Sequence, residues 1–256
     1  MIGAGGGARY SPAVGSAFFW GAFGAGSLVI GAVAALVLPI SMRVLGLIMA
    51  LGCGVLISAV AFDLVEEAVD TSDDLGGVAL GLAAGALAFY LGDAVIDRMG
   101  GEKRKSSTGE QADGSGPAIV LGAVLDGIPE SIVLGLGLLG GTGVSLAFIF
   151  AVFLSNLPEG IAGTRGLVAS GWTTRRVIEL WLLVVVVSAM ASLAGYAVFD
   201  SASDSTVAFV LAFAGGAVLT MLADTMAPEA FEHAGREVGL MTTAGFALAF
   251  ALHMVE

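Results

Sequence analysis

Long apolar runs joined by short polar connections determine the fold class of this chain. The 256 residues are 57% hydrophobic and only 12% charged, and the mean hydropathy is +0.96. Soluble domains carry about 25% charged residues, and about 20 consecutive apolar residues are enough to cross a bilayer as a helix. The sequence therefore predicts an all-α polytopic membrane protein, with room for about seven or eight crossings.

The apolar runs are predicted to form eight transmembrane helices. Their ranges are 15–40, 43–67, 75–98, 117–139, 143–169, 174–199, 206–230 and 238–255. Between the third and fourth helices, residues 99–116 form an extended polar loop whose composition is that of a flexible linker. The glycine-rich start of the chain lacks the pattern of a cleaved signal peptide.

The basic residues predict how these helices are oriented. With eight crossings, every lysine and arginine except Arg9 lies in or beside the connections 1–2, 3–4, 5–6 and 7–8. The positive-inside rule makes that side cytoplasmic. We therefore expect a multi-pass protein of the cytoplasmic membrane, with both termini outside and the 99–116 loop in the cytoplasm. The net charge of −12 argues against a nucleic-acid partner.

Predicted helices 2 and 7 carry similar acidic segments. The segment from Gly54 to Ala68 matches the segment from Gly216 to Ala230 at a shift of 162 residues. Because helix 2 runs outward and helix 7 runs inward, the two copies have opposite orientations, as in transporters built from inverted repeats. The predicted plan is a 3+2+3 arrangement of blocks 1–98, 117–170 and 171–256.

Two copies of a Pro-Glu motif lie inside the apolar runs of helices 4 and 5. They read Asp126-Gly-Ile-Pro-Glu130 and Ser155-Asn-Leu-Pro-Glu159. A carboxylate at the centre of a bilayer costs at least about 2.5 kcal/mol, so such residues are usually functional. Proline also deprives a preceding carbonyl of its helical partner, which a bilayer tolerates only against protein or a wet cavity. The alternative is two structural kinks with protonated or hydrogen-bonded carboxyl groups.

The spacing within the motifs predicts a site for a divalent cation. Asp126 and Glu130 share one helix face, and so do Ser155 and Glu159. If helices 4 and 5 pack side by side, the three carboxylates converge, and a divalent cation relieves their mutual repulsion. The predicted metal ligands are Asp126, Glu130, Ser155, Asn156 and Glu159. The metal is the substrate, and no organic cofactor is expected.

These motifs resemble those of the ZIP (zinc–iron permease) transporters, and most of all the bacterial branch. That family carries His-Asn-x-Pro-Glu-Gly on its fourth helix and His-x-x-Pro-Glu-Gly on its fifth. The resemblance extends to Leu38-Pro-Ile-Ser-Met-Arg43 and Ala227-Pro-Glu-Ala230. It implies eight helices, a homodimer, and import of zinc, iron or manganese across the cell inner membrane between helices 4 and 5.

Carried over by position, Asp126 and Ser155 replace the two histidines of the family motif, whereas Glu130 and Glu159 are retained. A site with only oxygen ligands favours harder ions than zinc. At the family's second site, Gly127 replaces an asparagine and Ser188 stands where helix 6 often has glutamate. We therefore expect one metal site rather than two.

Further residues are assigned to the transport pathway through this resemblance. Asp63, Glu67 and His253 are expected at the outer entrance, where a charged cluster in contact with water is the open alternative. Asp224 and Glu229 are expected at the inner exit. Ser188 is expected beside the central site.

Two other functions stay open. A metal-binding but non-transporting sensor or scaffold would tolerate the loss of both histidines. An iron or manganese exporter of another permease class is suggested by Asp126-Gly127, although the second Pro-Glu copy disfavours it. An enzyme is not expected, because no nucleophile–base pair or zincin motif accompanies Glu130 and Glu159.

Overall fold

A computed structural model describes residues 7–101, 116–139 and 143–256, with side chains for 14–99, 121–139 and 143–256. These residues form helices and short connections, and no strand occurs among them. Six of the helices are long and apolar enough to cross a membrane. The predicted class, an all-α membrane protein with several crossings, is therefore confirmed at this level. Most of the predicted polar loop, residues 102–115, lies outside the described residues.

The helices follow the order of the predicted apolar runs. They are α1 Gly7–Val37, α2 Met42–Thr71, α3 Leu75–Ile96, α4 Gly116–Leu136, α5 Leu146–Ala169, α6 Thr174–Phe199, α7 Asp204–Ala234 and α8 Glu237–His253. The six of membrane length are α1, α2, α3, α5, α6 and α7.

Local chemistry explains where the helix ends differ from the predicted ones. Helix α1 ends at Val37 rather than near residue 40, because Pro39 disfavours the helical conformation in the residue before it. Helix α5 begins at Leu146 rather than at residue 143, because Ser145 is its N-cap. The Ser145 hydroxyl accepts a hydrogen bond from the N–H of Phe148 at 3.0 Å.

Helices α2 and α7 each contain a π-helical turn. The turns span Val60–Glu66 and Leu222–Met226. Their first residues are separated by 162 positions, the same shift that superposes the acidic segments of these helices. π-Helical turns are rare and often occur at functional sites. The two turns carry Asp63 and Asp224, which the sequence assigned to opposite ends of the pathway.

The helices pack as two groups. Helices α1, α4, α5 and α6 form one group, in which α1 contacts α5 and α6, and α4 contacts α6. Helices α2, α3, α7 and α8 form the other, in which α3 packs along α7 and α2 along α8. Contacts between the groups are made mainly by α2 with α5 and by α4 with α7.

Glycines allow backbones to touch at the closest crossings. In the second group, a Cβ atom on Gly54 would overlap the carbonyl oxygen of Thr242, and one on Gly216 would overlap that of Leu82. In the first group, Gly160 lies in the same way against Leu28. Small residues bring membrane helices together because no large side chain separates the backbones.

The same contacts give the relative directions of helices in the first group. Gly24 lies near Val152 and Leu28 near Gly160, so α1 and α5 run parallel. Gly127 lies near Ser188 and Gly135 near Ser192, so α4 and α6 also run parallel.

Helices α1 and α6, in contrast, run antiparallel. Ser192 donates a hydrogen bond to the carbonyl of Ala17 at 2.8 Å, while Gly21 lies against the carbonyl of Ser188. As residue numbers increase along α1, the residues in contact with them on α6 have decreasing numbers. Since α4 is parallel to α6 and α5 is parallel to α1, helices α4 and α5 run in opposite directions.

Candidate functional site

The polar residues of the two Pro-Glu motifs are withdrawn from solvent. Asp126, Glu130, Ser155 and Asn156 are between 1% and 6% exposed, and Glu159 is half-buried. Both motif prolines lie inside helices that continue past them. Two antiparallel helices thus carry carboxyl, hydroxyl and amide groups within the protein interior.

Contacts with α1 show how α4 and α5 are aligned with each other. A Cβ atom on Gly24 would lie 3.2 Å from Leu134 Cδ1 on α4 and 3.1 Å from Val152 Cγ1 on α5. Leu134 and Val152 therefore lie at about the same level along the helix axes. Helices α4 and α5 are antiparallel. A residue one turn before Leu134 on α4 therefore lies at the same height along the helix axes as a residue one turn after Val152 on α5.

The motif residues fall on two levels by this alignment. One helical turn from Leu134 and Val152 brings Glu130 and Asn156 to a common level, with Ser155 beside them. A second turn brings Asp126 to the level of Glu159. One level therefore holds a carboxyl group with two neutral groups, and the next level holds two carboxyl groups.

The three carboxylates are not gathered into one cluster. Among the described residues, no group of three or more His, Cys, Asp or Glu side chains lies close enough together to hold a metal ion. Helix α4 packs chiefly on α6, and α5 chiefly on α1, so the two motif helices contact each other little. The side-by-side packing expected from the sequence is thus not seen, and a metal site at Asp126, Glu130 and Glu159 stays a prediction.

Neutral oxygen atoms accompany these carboxylates. Ser155 Oγ donates to the carbonyl of Val152 at 3.0 Å, and Asn156 Nδ2 donates to the carbonyl of Gly24 at 3.4 Å. These bonds leave the Oδ1 atom of Asn156 and the acceptor lone pairs of Ser155 as candidate ligands. Ser188, which is 3% exposed, lies with its hydroxyl 3.4 Å from where a Cβ atom on Gly127 would be. The structure thus brings Ser188 beside the first motif.

An acidic cluster joins the two helix groups near the C-terminal ends of α2 and α8. Asp63 accepts a hydrogen bond from Ser145 Oγ at 2.6 Å, and His253 Nδ1 lies 3.7 Å from the same carboxyl group. Glu256 accepts a hydrogen bond from the N–H of Ala147 at 2.9 Å. Asp63 and His253 are therefore close together, and their place at an outer entrance stays a prediction. Glu67 is exposed and takes part in none of these contacts.

The residues predicted at the inner exit lie on the C-terminal part of α7. Glu229 Oε1 is 3.7 Å from Nε2 of His233, one turn further along, and both side chains are largely buried. Asp224 is exposed within the π-helical turn. Nearby, Arg43 at the start of α2 forms an ion pair with Glu237 at the start of α8.

Ser145 and Arg165 are among the residues with contacts across the fold that were not singled out from the sequence. Ser145 donates a hydrogen bond to Asp63. Its position just before an apolar run is typical of an N-cap, so the sequence could have indicated its role at the helix start. Arg165 Nη1 donates to the carbonyl of Ile40 at 2.8 Å. No sequence pattern indicates that bond, because it depends on α1 and α5 ending side by side.

No protein-family model matches this chain, and no curated protein matches it significantly. Its fold and composition define it as an α-helical membrane protein with several apolar helices of membrane-spanning length. Two antiparallel helices of this protein carry buried carboxyl, hydroxyl and amide groups.

Proposed function

We propose that this protein is a transporter of the ZIP type that imports a divalent metal cation across the cytoplasmic membrane. The observation that carries the proposal is the burial of Asp126 and Glu130 on α4 and of Ser155 and Asn156 on α5. Intramembrane carboxyl groups are costly to bury and usually mark an ion or substrate pathway.

The two levels of oxygen donors suit a metal ion that moves through the site. At one level the ligands would be Glu130, the hydroxyl of Ser155 and the amide oxygen of Asn156. At the next level they would be Asp126 and Glu159. These groups would replace the hydration shell of the ion in steps, and a donor set of oxygens alone favours manganese, ferrous iron or magnesium over zinc.

Eight crossings are supported by the directions of neighbouring helices. In a chain that alternates between the two sides of a membrane, odd-numbered helices run one way and even-numbered helices run the other. The parallel pairs α1 with α5 and α4 with α6 obey this rule, and the antiparallel pair α1 with α6 obeys it as well. We also propose that both termini lie outside and that the 99–116 loop lies in the cytoplasm. This orientation rests only on the distribution of lysine and arginine residues.

The 3+2+3 plan with inverted repeats is supported by matching contacts. Gly54 of α2 touches Thr242 of α8, and Gly216 of α7 touches Leu82 of α3. Gly216 is the counterpart of Gly54 at the predicted shift of 162 residues. The π-helical turns of α2 and α7 begin at the same shift.

Alternating access is the mechanism that the helix grouping favours. The group that contains α4 and α5 would carry the ion and move relative to the group of α2, α3, α7 and α8. The hydrogen bonds of Asp63 with Ser145 and of Glu256 with Ala147 join the two groups near the C-terminal ends of α2 and α8. A homodimer is part of the proposal by family resemblance.

The direct test is metal uptake by the purified protein in proteoliposomes. We expect radioactive manganese to accumulate inside, and Glu130→Ala and Glu130→Gln to lose at least about 90% of the uptake rate, as when an interaction worth about 1.4 kcal/mol or more is removed. The matched control is Glu232→Ala, which removes an exposed carboxylate from α7. Normal uptake by a folded Glu130→Gln protein would remove Glu130 from the pathway.

A non-transporting metal sensor or scaffold is the second candidate, because Asp126 and Ser155 replace the two histidines of the motif that this chain resembles. The same vesicles separate the two functions. A sensor binds metal without accumulating it in the lumen, whereas an exporter of another permease class moves metal in the opposite direction.

A further inference from the structure

A cavity of about 380 Å³ opens between the C-terminal ends of α1 and α5. Its lining residues are Ala35, Leu36, Thr164, Arg165, Val168 and Ala169. Four of the six are apolar, and Val168 is 42% exposed. Val37 and Leu38, next to this lining in sequence, are also exposed. The cavity therefore opens onto an apolar surface at the ends of two membrane-length helices.

One charged group, the guanidinium of Arg165, lies in this cavity. Its Nη1 atom donates to the carbonyl of Ile40 at 2.8 Å, which holds the half-buried side chain in place. The other polar lining side chain, Thr164, is 1% exposed and already accepts a hydrogen bond from Trp181 Nε1 at 2.8 Å.

Most of the hydrogen-bonding capacity of Arg165 is unused within the described residues. A guanidinium has five N–H donors, and the bond to Ile40 uses one of them. No carboxylate in the described part of the chain forms an ion pair with it. The guanidinium thus has spare N–H donors and lies in a cavity that opens onto an apolar surface. These two features match a ligand that has an anionic oxygen group and a hydrocarbon tail.

We propose that this cavity binds one acidic phospholipid, with its phosphate on Arg165 and an acyl chain along Leu36 and Val168. The planar fork of donors in arginine matches phosphate oxygens, and basic pockets between transmembrane helices bind anionic headgroups. The net charge of −12 makes general attraction of acidic lipids to this protein weak. The inference concerns a site apart from the Pro-Glu motifs and does not depend on metal transport.

The test is lipid retention by the purified full chain, measured by native mass spectrometry from micelles that contain equal amounts of phosphatidylglycerol and phosphatidylcholine. We expect one phosphatidylglycerol to be retained selectively. Arg165→Ala should weaken this retention about 5-fold, equivalent to about 1 kcal/mol for one arginine at a lipid surface. Unchanged selectivity in Arg165→Ala would overturn the proposal.

Two further variants separate a built site from general charge attraction. Arg236→Ala removes an exposed arginine outside the cavity and should leave retention unchanged. If it reduces retention as much as Arg165→Ala does, the lipid is held by net charge alone and the proposal fails. Ala169→Leu fills the cavity without removing Arg165 and should lower retention, which also tests the site if Arg165→Ala does not fold.

A last arm distinguishes a lipid from free phosphate. Phosphatidylglycerol should raise the Tm of the unmodified protein, and inorganic phosphate at equal concentration should not. Equal stabilisation by both would show a simple anion site and contradict the assignment to a lipid.

Discussion

Asp126 and Glu130 are almost fully buried, although each carries a carboxyl group that strongly prefers water. Burial of this kind is retained when the group has a role that an apolar residue cannot fill. Ser155 and Asn156, on α5, are buried as well and carry neutral oxygen atoms. At the scale of single residues, ligand type is therefore the property that should set ion preference.

Restoring nitrogen ligands should change that preference. Asp126→His combined with Ser155→His introduces two imidazoles, which are softer ligands than carboxylate and hydroxyl oxygens. We expect the ratio of zinc to manganese uptake in proteoliposomes to rise about tenfold, equivalent to about 1.4 kcal/mol of relative affinity. Asp126→Glu with Ser155→Thr keeps the oxygen ligands and is the control. An unchanged ratio in the double histidine variant would mean that ligand type does not set selectivity.

At the scale of the elements, contacts at helix ends and at helix crossings hold the helices against one another. Ser145 has two roles, because its hydroxyl caps α5 and also donates to Asp63 in the π-helical turn of α2. Thr173 caps α6 in the same way and makes no hydrogen bond across the fold within the described residues. The two caps are a matched pair that separates local from tertiary effects.

Ser145→Ala should loosen both α2 and α5. Loss of an N-cap costs about 1 kcal/mol and speeds exchange of the first-turn amides, and the lost bond to Asp63 should speed exchange around residues 60–66 as well. Thr173→Ala should affect only the start of α6. Hydrogen–deuterium exchange mass spectrometry measures both. Unchanged exchange around residues 60–66 in Ser145→Ala would show that the bond to Asp63 does not hold the two helices together.

The glycine crossings make a second prediction at this scale. Gly54→Ala places a methyl group against the carbonyl of Thr242, and overpacking of this kind costs about 1–3 kcal/mol. We expect a lower Tm for Gly54→Ala and, at the matching crossing, for Gly216→Ala. Gly26→Ala is the control, since no atom lies within 4 Å of its Cβ position and alanine favours the helix. Equal Tm values for the three variants would contradict the close crossings.

Over the whole molecule, two helix groups meet mainly through α2 with α5 and α4 with α7. The closest glycine crossings lie within each group, whereas the bond of Ser145 with Asp63 crosses between the groups. We expect the two groups to move as separate bodies, because such a motion leaves the packing within each group intact. The direction in which transport would run depends on which connections face the cytoplasm.

Cysteine labelling tests the proposed topology. Cys53 is buried and is replaced by alanine, and single cysteines are introduced at three exposed positions, Asp73, Ser201 and Arg236. A membrane-impermeant maleimide should label Asp73→Cys and Ser201→Cys in intact cells, and Arg236→Cys only after permeabilisation. The proposed topology has four crossings between Asp73 and Ser201 and one crossing between Ser201 and Arg236. Labelling of all three cysteines from the same side would contradict it.

The amino-acid sequence alone was sufficient for the properties that depend on neighbouring residues. Hydropathy over a helix length predicted the membrane class, and N-cap side chains mark the starts of α2, α3, α5, α6 and α7. Helix 6 was predicted at 174–199 and observed at Thr174–Phe199. The motif spacing also predicted which polar groups share a helix face, because 3.6 residues per turn is a local property.

Only the tertiary structure decided which helices touch and which residues share a level. The sequence led us to expect α4 against α5, but α4 packs on α6 because Gly135 allows closer contact with Ser192 there. The level of Asp126 relative to Glu159, and the contact of Asp63 with Ser145, depend on helix direction and vertical register. These quantities arise from packing between segments far apart in the chain, and helical periodicity carries no information about them.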